Sequence, residues 1–102
     1  MISNEHEVLV LYGSQTGQSE AIAKIIEERC IRLDLRVKLF VLNDYEKKYW
    51  IEKERLVVIV CSSTGDGDPP DNADRFVRRI SRRIFDDSFL QHTEFALLGT
   101  LI

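Results

Sequence analysis

The 102-residue chain is 44% hydrophobic and 30% charged, too apolar for a disordered tail and long enough for one small domain. Its net charge of -3 argues against a nucleic-acid binder, a class that usually shows a basic excess. No apolar run nears the ~20 residues that span a bilayer, and Met1-Ile2-Ser3-Asn4-Glu5 lacks a signal-peptide pattern. Cys30 and Cys61 have no metal-type spacing and read as reduced thiols, so a cytoplasmic protein with no membrane span is expected.

In chain order, Val8-Leu9-Val10-Leu11 is apolar throughout, the mark of a strand buried on both faces. Next comes a turn of glycines, hydroxyls and amides: Gly13, Ser14, Gln15, Thr16, Gly17, Gln18 and Ser19. It contains no Lys or Arg. Such a strand-to-helix turn can hold a phosphate on neutral donors, using hydroxyls together with the free N–H groups of a helix N-terminus. The Walker pattern fails, because Gln18 and Ser19 stand where its second glycine and lysine belong. The Gly-x-Gly-x-x-Gly dinucleotide fingerprint is absent too. An ordinary capped turn would need one hydroxyl, whereas Ser14, Thr16 and Ser19 provide three.

Ile22, Ile25, Ile26 and Cys30 then recur at helical spacing, with Glu20 near the start and Arg29 and Arg32 near the end, matching the helix dipole. Leu35, Val37, Leu39 and Val41 alternate with Arg36, Lys38 and Phe40, as expected of an edge strand. The charged connector from Asn43 to Lys53 is expected to hold a short helix, with Tyr45, Tyr49 and Trp50 covering the sheet edge. Residues 56–61 form a β-branched, apolar run and predict a central strand. It leads into a second polar turn, Ser62-Ser63-Thr64-Gly65-Asp66-Gly67-Asp68, followed by Pro69-Pro70 and a helix capped by Asp71 or Asn72. In that helix Ala73, Phe76, Val77, Ile80 and Ile84 make the apolar stripe. Arg75, Arg78, Arg79, Arg82 and Arg83 lie beside it as a solvated face, or as a docking surface for an acidic partner. Phe95-Ala96-Leu97-Leu98 is the fourth apolar run.

Alternation of strands and helices predicts an α/β fold, a doubly wound parallel sheet of order 2-1-3-4 with right-handed crossovers. Ligands in such sheets bind beyond the strand C-termini at the switch point, here between strands one and three. Both polar turns converge there. The acidic turn does not match a calcium loop, since Pro69 and Pro70 interrupt it and Val77 replaces the needed Glu, so no metal site is expected. A phosphoacceptor site would need acidic residues where Tyr12 and Gly13 stand. His6 and His92 have no partner at catalytic spacing, and no catalytic residue is assigned.

Tyr12-Gly13-Ser14-Gln15-Thr16-Gly17 together with Ser63-Thr64-Gly65-Asp66-Gly67-Asp68-Pro69-Pro70-Asp71-Asn72 resembles the FMN-binding, flavodoxin-like domain of the diflavin reductases. That family includes cytochrome P450 reductase, NADPH-dependent diflavin reductases and methionine synthase reductase. Residues 17–23, the Thr64–Pro70 turn and Phe89-Leu90-x-His92 look most like methionine synthase reductase, then like the diflavin reductase serving iron–sulfur assembly. The resemblance implies that Ser14, Gln15, Thr16, Gly17, Gln18 and Ser19 wrap the FMN phosphate. It implies too that Ser62, Ser63, Thr64 and Gly65 run beside the flavin ring, with Thr64 where many relatives stack a Tyr. The Gly65–Asp66 peptide would lie near flavin N5, and Asp66 and Asp68 would disfavour an anionic reduced flavin. The implied function is electron transfer, with single electrons passing from an NADPH- and FAD-binding reductase domain to a redox acceptor protein. In the methionine synthase reductase case, that acceptor is methionine synthase. The alternative is a non-catalytic module that docks partners without flavin.

Relatives continue beyond the fourth strand with Leu-Gly-Asp into a third flavin loop, where this sequence reads Thr100-Leu101-Ile102. Residues 8–102 are therefore expected to form a C-terminally incomplete flavodoxin-like domain, with the fifth strand missing and the FAD and NADPH domains absent. Marginal stability and weak FMN affinity are expected with it.

Overall fold

The computed structural model describes residues 7–13, 17–63, 71–83 and 93–101. Four strands, β1 (Glu7–Gly13), β2 (Arg36–Val41), β3 (Leu56–Ser63) and β4 (Glu94–Leu101), form one sheet of order β2-β1-β3-β4. Every pairing is parallel. Helix α1 (Gln18–Arg32) follows β1, and α2 (Asp71–Arg83) follows β3. Order, direction and class are those the sequence predicts.

The two faces of β1 build two cores. Leu9 and Leu11 point into one that also holds Leu42, Tyr45, Tyr49, Ile51, Val57, Ala73 and Phe76, under α2 and the connector. Val8 and Val10 point into the other with Ala23, Cys30 and Val60, under α1. A strand between two such layers can carry apolar side chains at every position, which is why this run shows no alternation. The two thiols belong to opposite layers: Cys30 is in the α1 core, while Cys61 packs against the α2 core. Burial pushes both thiols up, which keeps them protonated and poorly reactive.

Edge strand β2 behaves as its half-polar sequence requires. Lys38 Nζ reaches Glu7 at 3.1 Å and Glu54 at 3.0 Å, tying β2 to the starts of β1 and β3. Burial works against its charge, but the two carboxylates outweigh that and hold its pKa above the ordinary lysine value.

Several expectations need correction. The short helix expected in the connector takes the form of two 3-10 helices, Leu42–Asp44 and Ile51–Lys53. Tyr45 and Tyr49 are 0% and 3% exposed, so they are core residues rather than a cover for the sheet edge, and only Trp50 stays exposed. Their hydroxyls are bonded inside, Tyr49 to the Leu42 carbonyl at 2.7 Å and Tyr45 to Glu52 at 2.6 Å, which makes full burial tolerable. On the helices, Ile25 and Val77 point to solvent although their spacing fits the stripes. In each case a neighbour takes the inward position, Ala23 on α1 and Phe76 on α2. Helix α2 begins at Asp71, which places Asn72 within it, and Ile84 lies outside the described residues. Strand β4 runs on to Leu101 and pairs with β3 throughout.

Candidate functional site

The C-terminal ends of β1 and β3 meet at the switch point, where Gly13 pairs with Cys61 and Cys61 with Gly99. Ser62 and Ser63, expected in the polar turn, are the last two residues of β3, in register with Thr100 and Leu101 of β4. Their strand places both at the carboxyl edge of the sheet, where a doubly wound fold binds its ligand.

Facing that edge is the N-terminus of α1. Gly17 is its N-cap, with φ 84° in the left-handed region. A Cβ added there would meet nothing within 4 Å, so the torsion alone calls for glycine at this position. The helical ladder starts with the Ala21 N–H donating to the Gly17 carbonyl at 3.1 Å. Ser19 and Glu20 lie ahead of that first rung, with their N–H groups at the positive end of the helix dipole.

Ser19 sits in this first turn with 0% exposure, the one buried polar residue among the described residues. Its Oγ has no hydrogen-bond partner among the described residues. A buried hydroxyl left unpaired costs about 1–3 kcal/mol, so its presence calls for a reason outside packing. Gln18 is exposed beside it. Of the other residues expected here, Ser14, Gln15, Thr16, Thr64 and Gly65 lie outside the described residues, as do Asp66, Asp68, Phe89, Leu90 and His92.

A second feature of this turn is harder to see in the sequence. Glu20 pairs with Lys24 at 3.3 Å, and its charge acts on the Tyr12 phenol. Burial, then the charge of Glu20, pushes the Tyr12 phenol above its ordinary pKa. The Glu20–Lys24 spacing of four residues was open to inspection; the part played by Tyr12 depends on how β1 and α1 pack.

The arginine stripe on α2 is largely turned to the protein's own acids. Arg75, Arg79 and Arg83 all approach Glu46. Arg75 also donates to the Tyr45 carbonyl at 2.6 Å, and Arg83 to Glu52 at 3.0 Å. Arg78 pairs with Asp74 on the outer face at 3.2 Å. A solvated face or a docking surface was expected, but one row of the stripe fastens α2 to the connector. Among the described residues no group of His, Cys, Asp and Glu is arranged to hold a metal ion.

The flavodoxin family profile matches residues 10–100, nearly the whole chain. The chain belongs to the flavodoxin family. Flavodoxin structures share its fold: flavodoxin 2 from Bacillus cereus superposes with a TM-score of 0.71 at 20% identity, covering 93% of this chain and 61% of that one. A Fusobacterium nucleatum flavodoxin mutant, solved bound to flavin mononucleotide, gives 0.69 at 17% identity, covering 93% of this chain and 51% of that one. Closer in sequence are two longer proteins. Methionine synthase reductase of Caenorhabditis elegans is 46% identical over 93 residues, covering 91% of this chain and 14% of that protein. NADPH-dependent diflavin oxidoreductase 1 of Danio rerio is 45% identical over 94 residues, covering 92% of this chain and 16% of that protein. This flavodoxin-family chain thus spans about one seventh of the length of those relatives. Among its described residues, no helix is long and apolar enough to cross a membrane.

Proposed function

We propose that the chain is the FMN-binding electron-transfer domain of an NADPH-dependent diflavin reductase of the methionine synthase reductase kind. The observation that carries this is Ser19: a fully buried hydroxyl without a partner among the described residues, in the first turn of α1, at the switch point of the sheet. A phosphate monoester fits what is there. Ser19 Oγ can donate one hydrogen bond, the N–H groups ahead of the Ala21 rung can add others, and the left-handed Gly17 opens the backbone to close approach. Ser14, Gln15, Thr16 and Gln18 complete the phosphate grip in this reading, while Ser62, Ser63, Thr64 and Gly65 flank the ring. FMN held there supplies one-electron chemistry, and the protein contributes position and electrostatics.

The electron source is an NADPH- and FAD-binding reductase module, as the diflavin relatives suggest, and the acceptor is a redox protein, methionine synthase if the chain serves as a methionine synthase reductase does. The thiols of buried Cys30 and half-buried Cys61, kept apart by the sheet, suit a reducing cytoplasm. The alternative of a flavin-free docking module on the arginine face has less support, because Arg75, Arg79 and Arg83 are occupied by Glu46, Tyr45 and Glu52. Substituting Ser19→Ala tests the assignment: FMN affinity falls about tenfold if Ser19 donates to the phosphate, and an unchanged affinity refutes its role.

A further inference from the structure

Charge on the connector is sorted by depth. Acids and bases balance in number between residues 44 and 55, but not in exposure. Asp44, Glu46, Glu52 and Glu54 are half-buried, while Lys47, Lys48, Lys53 and Arg55 are exposed. Each acid meets a cation of the fold: Glu46 takes Arg79 at 2.7 Å, Glu52 takes Arg83 at 3.0 Å, Glu54 takes Lys38 at 3.0 Å and Asp44 takes Lys48 at 3.9 Å. The Glu46 and Glu52 side chains are 11% and 19% exposed, against 63% for Lys48. Water therefore meets the cations of this seam far more than its acids, on a chain whose net charge is -3.

Helix α2 extends the same face. Arg75, Arg79 and Arg83 line the connector and still leave 34% to 42% of their side chains exposed. Arg79 engages Glu46 through Nε and Nη2, which fixes the plane of a guanidinium that carries further donors. Trp50 stands on this seam, 39% exposed, its ring 6.2 Å from that of Tyr45. The Tyr45 carbonyl and hydroxyl in turn accept from Arg75 and Arg83. Lys53 Nζ lies 5.3 Å over the indole. A half-open tryptophan among arginines combines the residue types that carry most of the energy at protein interfaces.

We propose that the outer seam between the connector and α2, carrying Trp50, Lys47, Lys48 and Lys53 beside Arg75 and Arg79, docks an acidic surface of a partner protein. Nucleic acid calls for an overall basic excess, and a membrane surface for one amphipathic segment or an unbroken basic run. This face has neither: its cations come from two elements held at fixed spacing by Glu46 and Glu52. Fixed guanidinium groups and lysines beside an indole suit carboxylates on a folded partner. The surface is separate from the flavin site and shares no residue with it.

Trp50 is the chain's one tryptophan, so its emission reports from this face. The probe is a tryptophan-free oligo-glutamate peptide, titrated into the full chain and two variants. Lys47→Gln/Lys48→Gln removes charge from the connector. Lys24→Gln/Arg29→Gln removes the same charge from α1, across the sheet from it. All four positions are exposed, so both variants keep the fold. The peptide shifts wild-type Trp50 emission saturably, and its affinity falls as salt is raised. The connector variant binds about fivefold more weakly, the size of two exposed charge contacts, and the α1 variant changes less than about twofold. Unmoved emission, equal losses in the two variants, or an affinity indifferent to salt overturns the inference. Tighter binding of single-stranded DNA of equal charge, or of phosphatidylserine vesicles, overturns it too and assigns the face to nucleic acid or membrane. The FMN reading stands whichever result is found.

Discussion

Arg79 grips Glu46 with two nitrogens: Nε donates to Oε1 at 2.7 Å and Nη2 to Oε2 at 2.8 Å. Glu46 lies in the left-handed region with φ 69°, unusual for a residue with a side chain. The bidentate bond, with Arg75 and Arg83 beside it, holds a strained turn of the connector against α2. Asn43 strengthens the same seam by accepting from the Phe76 N–H at 2.9 Å.

The clamp has a pH signature. The Arg79 hydrogen bonds, with the charges of Arg79, Arg75 and Arg83, hold the Glu46 carboxyl below its ordinary value of 4.5 against the opposing effect of burial. A depressed carboxylate stabilises the fold above its unfolded pKa, and that contribution is lost as pH falls through the folded one. Wild-type Tm is therefore expected to fall below pH 4.5 more steeply than that of Glu46→Gln, which should already be lower at pH 7. Parallel Tm–pH curves for the two proteins would remove Glu46 from the account.

Gly17→Ala should destabilise the chain by about 1–2 kcal/mol, the cost of a left-handed backbone for a residue with a Cβ. The surrounding space is open, so crowding adds nothing. Gly17→Asn should cost less, since Asn tolerates this conformation. Urea unfolding of the three proteins checks the order.

Ser19→Ala should move stability and binding in opposite directions. Removing a buried hydroxyl that has no partner among the described residues relieves its desolvation cost, raising the stability of the flavin-free chain by about 1 kcal/mol. The same change weakens FMN. Thermal unfolding with and without FMN reads both effects, and a variant less stable in the flavin-free state would show that the hydroxyl is paired.

Tyr49→Phe should cost about 1–2 kcal/mol, because it leaves the buried Leu42 carbonyl without the 2.7 Å hydrogen bond it accepts. Trp50→Phe, at an exposed neighbour, should cost less than about 0.5 kcal/mol. Equal effects would mean that the tyrosine packs without using its hydroxyl.

The sheet was legible because its signals are local. The unbroken apolar runs at 8–11 and 56–61 announced strands buried on both faces, and the half-polar β2 announced an edge. What stayed hidden depended on distant partners. Nothing local shows that the hydroxyls of Tyr45 and Tyr49 find acceptors in the connector, so full burial could not be read. The spacing of Arg75, Arg79 and Arg83 showed a stripe, while its target, Glu46, lies 29 to 37 residues earlier in the chain. At the site, the sequence pointed to the turn carrying Gly17, Gln18 and Ser19, but the burial of Ser19 emerges only from the packing of α1 on β1.

The central claim is that this flavodoxin-family chain binds FMN through its phosphate. The direct measurement is a titration of the 102-residue chain with FMN and with riboflavin, followed by flavin fluorescence. The account predicts saturable FMN binding at least tenfold tighter than riboflavin, about the value of one charge-assisted hydrogen bond set. Equal affinity for the two flavins, or no binding of either by a folded chain, would contradict it.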